Sequence, residues 1–316
     1  MVRPKIFISK CLGFDACRYN GQILRDSFVE KLKDFCDVVT SCPEVEIGLG
    51  VPRSPIRLVY KNNQVKMIQP ELNKDLTDDM NNFSDNLLSK IDHLDGAVLQ
   101  HRSPSCGPNS VKIYDKPGKH IPGIGLFADK LIKKYPGIMV EDEKRLLNYK
   151  IRDKWLIVTW TWARFSLVKE KGKIKDLISF HSNHKYLFMM FSKSILNDLG
   201  NIVASYNKKN YDNTIDAYEN KLSEIFSKDF SVGRIKDVIQ HILGYFKDKI
   251  SLEQKDFFLK SLDMYVNSKI PLSTLLWMLR NWAIQYDKDY IKDQVIFEPF
   301  PNELLEMKDS GKKINI

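Results

Sequence analysis

No cysteine lies beyond residue 106, no Cys-x-x-Cys pair occurs anywhere, and no apolar run approaches the ~18–20 residues that span a bilayer. The last absence leaves no membrane partner to expect. Between Lys5 and Lys10 the apolar run is only Ile6–Phe7–Ile8, too short for the core of a secretion signal, so a cytoplasmic protein is expected. Five cysteines, an odd number without such a signal, argue against a disulfide framework. The missing Cys-x-x-Cys spacing removes the usual knuckles of structural zinc. No internal repeat or low-complexity segment stands out. With 43% hydrophobic and 28% charged residues the chain is neither disordered nor collagen-like, and 316 residues suggest two domains at roughly 150 each.

Charge of one sign is only moderately in excess. Forty-nine Lys and Arg face forty Asp and Glu, and both halves share the surplus. Such a balance favours polyanionic partners such as RNA without demanding them. The local signal is stronger between Arg164 and Lys193, where Arg164, Lys169, Lys171, Lys173, Lys175, Lys185 and Lys193 meet only Glu170 and Asp176. A solvated helix end and loop would look the same.

The first half alternates strand and helix signals. Short buried strands are expected at Lys5–Ser9, Asp37–Thr40 and Gly96–Gln100, with helices over 22–35 and 75–91, the latter capped by Asp75 or Thr77. A hairpin is expected around Lys61–Asn62–Asn63. This rhythm predicts an α/β domain with a doubly wound, Rossmann-like, mostly parallel sheet over residues 1–148. Helical spacing then dominates (153–168, 176–199, 214–226, 235–246, 252–267, 271–285), predicting an all-α domain over 149–316. Gly123–Ile124–Gly125 superficially matches a dinucleotide fingerprint. Lacking a predicted strand before it and an acidic partner, it reads as a helix-start loop lining the crevice.

In open α/β sheets the loops after the strands build the ligand crevice. Cys11, Cys42 and Cys106 each follow a predicted strand, so one crevice can gather all three. Cys36 falls on a helix and is excluded, while Cys17 stays open. Three thiolates can hold a 4Fe-4S cluster by three irons and leave the fourth as a Lewis acid for a soft sulfur ligand. A three-cysteine zinc site and ordinary buried thiols are the alternatives.

The words around these cysteines carry more. Ser9–Lys10–Cys11–Leu12–Gly13, Arg18–Tyr19–Asn20–Gly21, Cys42–Pro43–Glu44–Val45–Glu46–Ile47–Gly48–Leu49, Val51–Pro52–Arg53 and Arg102–Ser103–Pro104–Ser105–Cys106–Gly107 resemble, in order, the thiouracil desulfurase family. The resemblance covers about residues 5–140. It implies a 4Fe-4S cluster on Cys11, Cys42 and Cys106, an iron free to take a thiocarbonyl sulfur, a catalytic glutamate at Glu44 and a catalytic serine at Ser103, with Ser105 equally close. A carboxylate can make water nucleophilic toward a polarised thiocarbonyl carbon, and a hydroxyl can relay a proton or hold the ring. Departures from the family pattern are Cys17 where an apolar residue is usual, Asn20 for aspartate, and Gln100–His101 before Arg102. His101 reads as a residue orienting its loop.

In the second half, residues 180–190 (FHSNHKYLFMM) and 240–247 (QHILGYFK), with Pro271–Leu272–Ser273 and Glu298–Pro299–Phe300–Pro301, resemble an uncharacterised helical domain often fused to this module. Such fusions are similar to enzymes that remove sulfur from 4-thiouridine in tRNA. That resemblance implies tRNA as substrate, gripped by the helical domain; the local run of charge then offers Arg164, Lys169, Lys171, Lys173, Lys175 and Lys185 as phosphate contacts, with Tyr186 nearby as a stacking surface. No obligate protein partner is evident. The alternatives are desulfuration of free bases such as 2-thiouracil and an RNA-binding iron–sulfur sensor without catalysis.

Overall fold

A computed structural model describes residues 2–116, 118–207 and 210–306. Strand β1 (Lys5–Ser9) leads through an irregular segment to α1 (Ser27–Phe35), β2 (Asp37–Ser41) and the single-turn α2 (Pro43–Glu46). Next come β3 (Arg57–Lys61), β4 (Gln64–Gln69), β5 (Lys74–Asp75), α3 (Thr77–Ser89), β6 (Gly96–Leu99), β7 (Val111–Lys116), β8 (Lys119–Gly123), α4 (Leu126–Lys134) and β9 (Met139–Asp142). Helices follow: α5 (Tyr149–Lys171), α6 (Ile174–Asn183), α7 (Lys185–Phe191), α8 (Lys193–Ala204), α9 (Tyr211–Phe226), α10 (Val232–Leu243), α11 (Leu252–Val266), α12 (Leu272–Gln285) and α13 (Asp289–Lys292). The chain divides into two compact units: residues to Ala163 with the stretch from Phe300, and Arg164–Pro299. The dividing line lies within α5, past the 148/149 junction expected from sequence. Among its described residues the second unit is all helix and turn.

The first unit is built on an all-parallel sheet ordered β2-β1-β6-β9. Ile6, Phe7, Ile8, Ala97, Val98 and Leu99 are fully buried, because helices cover both faces of the sheet. Successive side chains point to opposite faces. Phe7 packs on Phe127 of α4 with ring centroids 5.1 Å apart, in one cluster with Met80, Leu88, Ala97 and Leu99. On the other face, Gly96 admits no side chain, since a Cβ there would lie 2.6 Å from Thr159 Oγ1 of α5. Trp155 Nε1 donates to Ala97 O at 3.2 Å and Met139 O at 3.0 Å, binding α5 to β6 and β9. This is the doubly wound arrangement expected.

A second, five-stranded sheet ordered β5-β4-β3-β7-β8 is antiparallel except between β3 and β7. Its hairpin turns at Asn62 and Asn63, whose φ of 53° and 59° suit the twist of the joined strands.

Several boundaries differ from the sequence expectation for physical reasons. α1 starts at Ser27 and not near Gln22, because the Asp26 carboxylate accepts from Phe28 N and Val29 N at 3.0 Å. Leu24 instead bridges to Leu12. The single helix expected over 176–199 is three, the last capped by Ser192, whose hydroxyl accepts from Ile195 N. A strand, β8, does precede Gly123–Ile124–Gly125, but it pairs antiparallel with β7 and so opens no dinucleotide crossover. The loop does not line the crevice. It props the Cys106 loop instead: Gly125 N donates to Gly107 O, Leu126 N to Pro104 O and Ala128 N to Ser105 O, at 2.8–3.1 Å. The free N–H groups at the start of α4 are thereby satisfied by the loop carbonyls.

Gly125 has ordinary φ, yet a Cβ there would sit 2.4 Å from Ser105 O and 3.0 Å from Cys106 N. Gly125→Ala should therefore displace the 103–107 loop, lowering stability by about 1–3 kcal/mol in denaturant titration. The conservative surface change Lys133→Arg on the same helix should leave stability unaltered.

Candidate active site

The site lies beyond the carboxyl ends of β1, β2 and β6. Parallel register puts Ser9 beside Ser41 and Ile8 beside Val98, so the residues just past each strand emerge together. Lys10 N donates to Ser41 O at 3.1 Å, and Leu24 N to Cys11 O at 2.8 Å, fixing the turn that carries Cys11. Cys42 caps α2, where Pro43 at the first helical position suits the missing N–H. Glu44 then projects from that first turn. Cys106 sits in a loop organised by Ser103, whose Oγ accepts from Ser105 N at 3.2 Å and Cys106 N at 3.1 Å. Arg102, just before it, has a φ of 55°, a left-handed conformation that strains a non-glycine residue.

One pocket is lined by Cys11, Cys17, Cys42 and Cys106, together with Ser9, Lys10, Arg18, Tyr19, Ser41, Pro43, Glu44, Arg53, Gln100 and Ser103. The three cysteines expected as ligands are therefore brought together, with Glu44 and Ser103 beside them. All four thiols are buried and free. Burial pushes the Cys106 thiol up, a hydrogen bond with Cys17 raises Cys42, and one with Cys11 raises Cys17 to about 11. Each thiol binds metal only by giving up its proton, so cation binding is coupled to proton release.

Glu44 is held from both sides. Its Oε2 meets Arg53 Nε at 2.9 Å and Nη2 at 2.8 Å, in an ion pair whose side chains are 12% and 4% exposed. Its Oε1 accepts from Ser105 Oγ at 2.9 Å and lies 3.4 Å from Ser103 Oγ. The two serines differ in setting: Ser103 lines the pocket, whereas Ser105 is fully buried behind Glu44. Ser103 Oγ already accepts two N–H bonds, so its own proton is left to point at Glu44 or into the pocket.

Arg53 and Cys17 are the residues sequence reasoning underrated. The Val51–Pro52–Arg53 motif marked the former, but only the fold brings its guanidinium back to Glu44. His101 does not line the pocket. Its Nδ1 lies 3.1 Å from Asp142 Oδ2, off-axis for a hydrogen bond, and its backbone N–H donates to Glu143 Oε2 at 2.8 Å, in keeping with an orienting residue.

The residues expected to contact RNA fare unevenly. Arg164 Nη1 donates to Pro299 O at 2.7 Å, and burial lowers its pKa to about 10, so it braces its own unit instead of reaching solvent. Tyr186 is fully buried and bonded to the Tyr245 hydroxyl, which removes it as a stacking surface. Lys169 pairs with Glu219 and Lys171 with Asp176. Lys185 places its ammonium over the Tyr186 ring at 5.4 Å. Lys173 and Lys175 are exposed, and neither is in an ion pair among the described residues. His184 is buried and His181 meets the Tyr218 hydroxyl, so neither stands in a metal site.

Among the described residues no three His, Cys, Asp or Glu side chains converge tightly enough to hold a single metal ion. A lone zinc would need sulfurs within about 4 Å of one another. A cluster that gives each thiolate its own iron tolerates wider spacing, and a donor set made wholly of thiols suits iron–sulfur chemistry. Also among the described residues, no helix is long and apolar enough to cross a membrane.

Comparison with known proteins defines the class. The 2-thiouracil desulfurase family model matches residues 6–143, and a second model, described as a protein of unknown function (DUF1722), matches residues 185–301. The uncharacterized protein YbbK of Bacillus subtilis (strain 168) is 30% identical over 149 residues, covering 45% of this chain and 97% of that protein. The uncharacterized protein YbgA of Escherichia coli (strain K12) is 24% identical over 161 residues, covering 50% of this chain and 95% of its own length. A solved [4Fe-4S]-dependent thiouracil desulfidase, TudS, is 28% identical over 46% of this chain and 93% of its own, with a TM-score of 0.38. The chain belongs to the 2-thiouracil desulfurase family. It is thus an enzyme of carbon–sulfur cleavage.

The serine geometry makes a testable distinction. Ser103→Ala should lower kcat about 100-fold or more with KM little changed, as expected for loss of a proton relay. Ser105→Ala should cost roughly tenfold and shift the pH profile, because it frees Glu44 from one side only. Equal losses in the two variants, read by steady-state kinetics, would contradict this assignment.

Proposed function

We propose that this protein is a 4Fe-4S-dependent desulfidase that converts 4-thiouridine in tRNA to uridine. The observation carrying the desulfidase reading is the convergence of Cys11, Cys42 and Cys106 on one pocket beside a Glu44 gripped by Arg53. Those three cysteines would hold the cluster, each on a different iron. When bound, the cluster supplies an electrophilic iron that draws electrons from a thiocarbonyl sulfur.

The chain's own residues do the rest. Tyr19, 46% exposed at the pocket rim, offers a face for a pyrimidine, and Arg18 beside it offers a charge for a phosphate or carbonyl oxygen. Arg53 occupies Glu44 Oε2, and Oε1, which accepts from Ser105 Oγ, takes a proton from the attacking water once Ser103 turns its hydroxyl toward the substrate. Ser103 passes a proton to or from the ring, and Ser105 keeps Glu44 in register. Water contributes the oxygen that replaces sulfur, its protons leave with sulfide, and no net electron transfer is required.

Support for the tRNA part is the helical unit fused to the catalytic one, where Lys173 and Lys175 are exposed cations without an ion pair among the described residues. The free-base reading is favoured by the substrate named in the family description, 2-thiouracil.

The test uses the full chain, loaded anaerobically, with bulk bacterial tRNA and, separately, 2-thiouracil, followed by nucleoside and base mass spectrometry. Conversion of 4-thiouridine is expected, abolished in Cys106→Ala and reduced about 100- to 1,000-fold in Glu44→Gln. Turnover of the free base alone would overturn the tRNA reading and leave the desulfidase. Turnover of neither, with tRNA still bound, would favour a non-catalytic sensor. In tRNA binding, Lys173→Ala with Lys175→Ala should make the salt slope shallower by about 1–2.

A further inference from the structure

Gln100 directly follows β6, is half-buried, and lines the pocket that gathers Cys11, Cys42 and Cys106. Its backbone is fully engaged: the N–H donates to Ser9 Oγ at 3.0 Å, and the carbonyl accepts from Ser103 N at 3.4 Å. What it has left to offer a ligand is the carboxamide. Nε2 donates to His101 O at 3.2 Å, and the His101 backbone N–H is itself held by Glu143 Oε2 at 2.8 Å. A flipped amide would set Oε1 against the His101 carbonyl, acceptor against acceptor, so the sense of the amide is fixed. Oε1 is then an acceptor that cannot turn into a donor, and it has no partner among the described residues. The other polar groups of the pocket do not discriminate in this way. Lys10 and Arg18 only donate, the hydroxyls of Ser9 and Ser41 rotate to donate or accept, and Glu44 is committed to Arg53 and Ser105.

We propose that Gln100 selects the ring edge of the substrate: its Oε1 accepts the N3–H of uracil-type thiones and turns away cytosine-type thiones, whose N3 is a bare acceptor. This rests on the desulfidase reading above and gives it a substrate class. In 4-thiouridine and in 2-thiouracil alike, N3–H is bonded to the thiocarbonyl carbon, so one acceptor beside the sulfur position serves both. Gln100 stands between the turns that carry the cysteines. Ser9, which holds its N–H, lies two residues before Cys11, and Gln100 itself lies six before Cys106. With a 2-thiocytosine ring, two acceptors face each other in a half-buried site and neither is satisfied. A site built to bond an N–H rejects a ring that lacks it more strongly than a difference in size would.

The experiment compares wild type, Gln100→Met and Gln100→Glu, all full-length and loaded anaerobically, with 1-methyluracil and 1-methylcytosine as probes. Methylation of N1 leaves the N3 and C4 edge as the one difference between them. Neither carries sulfur, so equilibrium dialysis reads affinity without turnover. Wild type should prefer 1-methyluracil roughly tenfold or more, Gln100→Met should bind the two within about twofold, and Gln100→Glu, which keeps an acceptor, should retain most of the preference. With 1-methyl-2-thiouracil as substrate, Gln100→Met should raise KM about tenfold and leave kcat within about twofold. A merely structural role would weaken both probes together and lower kcat. That result, the same preference in wild type and Gln100→Met, or no preference in wild type would overturn the role of Gln100 while leaving the desulfidase reading intact. Failure of loaded wild type to desulfurate any thiolated base, free or in tRNA, would overturn both.

Discussion

Parallel pairing of β1 with β2 on one side and β6 on the other is the constraint from which the site follows. Because the three strands run the same way, their carboxyl ends coincide, and Cys11, Cys42 and the loop carrying Cys106 emerge on one edge. Antiparallel pairing of any one would send its cysteine to the opposite end of the sheet. The helices that bury both faces therefore act on chemistry as well as stability. α4 supports the Cys106 loop through its first-turn N–H groups, and α5 is locked to the sheet by Trp155.

On that edge, Arg53 links parts that are distant in sequence. One guanidinium reaches Glu44, the Cys17 carbonyl and the Gly50 carbonyl, so acid–base group, thiol and loop share a single anchor. A buried ion pair of this kind is weak evidence for stability, since desolvation opposes the attraction. Its contribution is orientation: with Oε2 engaged, only Oε1 of Glu44 faces the serines. Ser103 and Ser105 then divide two tasks that a single hydroxyl would have to combine.

Much of this was legible in the residues themselves. Doubly covered parallel strands appear as short apolar runs, and a cysteine just after each of three such runs pointed to the crevice. The Asn62–Asn63 turn declared its hairpin. What stayed hidden depended on partners far along the chain. β7 took shape against β3 and β8 against β7, and the helix expected over 176–199 broke where a serine hydroxyl found a backbone N–H. Counting charges marked Arg164 as an RNA contact, but nothing local reveals that its guanidinium turns inward to Pro299 O. Tyr186 was misread for the same reason, since a buried ring and an exposed one have the same letter. Arg53 carried no visible chemistry until the fold returned it to Glu44.

The central claim is that one pocket at the ends of β1, β2 and β6 holds a four-iron cluster on Cys11, Cys42 and Cys106. The direct measurement is anomalous scattering at the iron edge from anaerobically grown crystals of the loaded full-length protein. The account predicts four iron positions in that pocket, with each of the three cysteine sulfurs bound to a different one. A single metal ion there, or iron bound elsewhere with these thiols free, would contradict it.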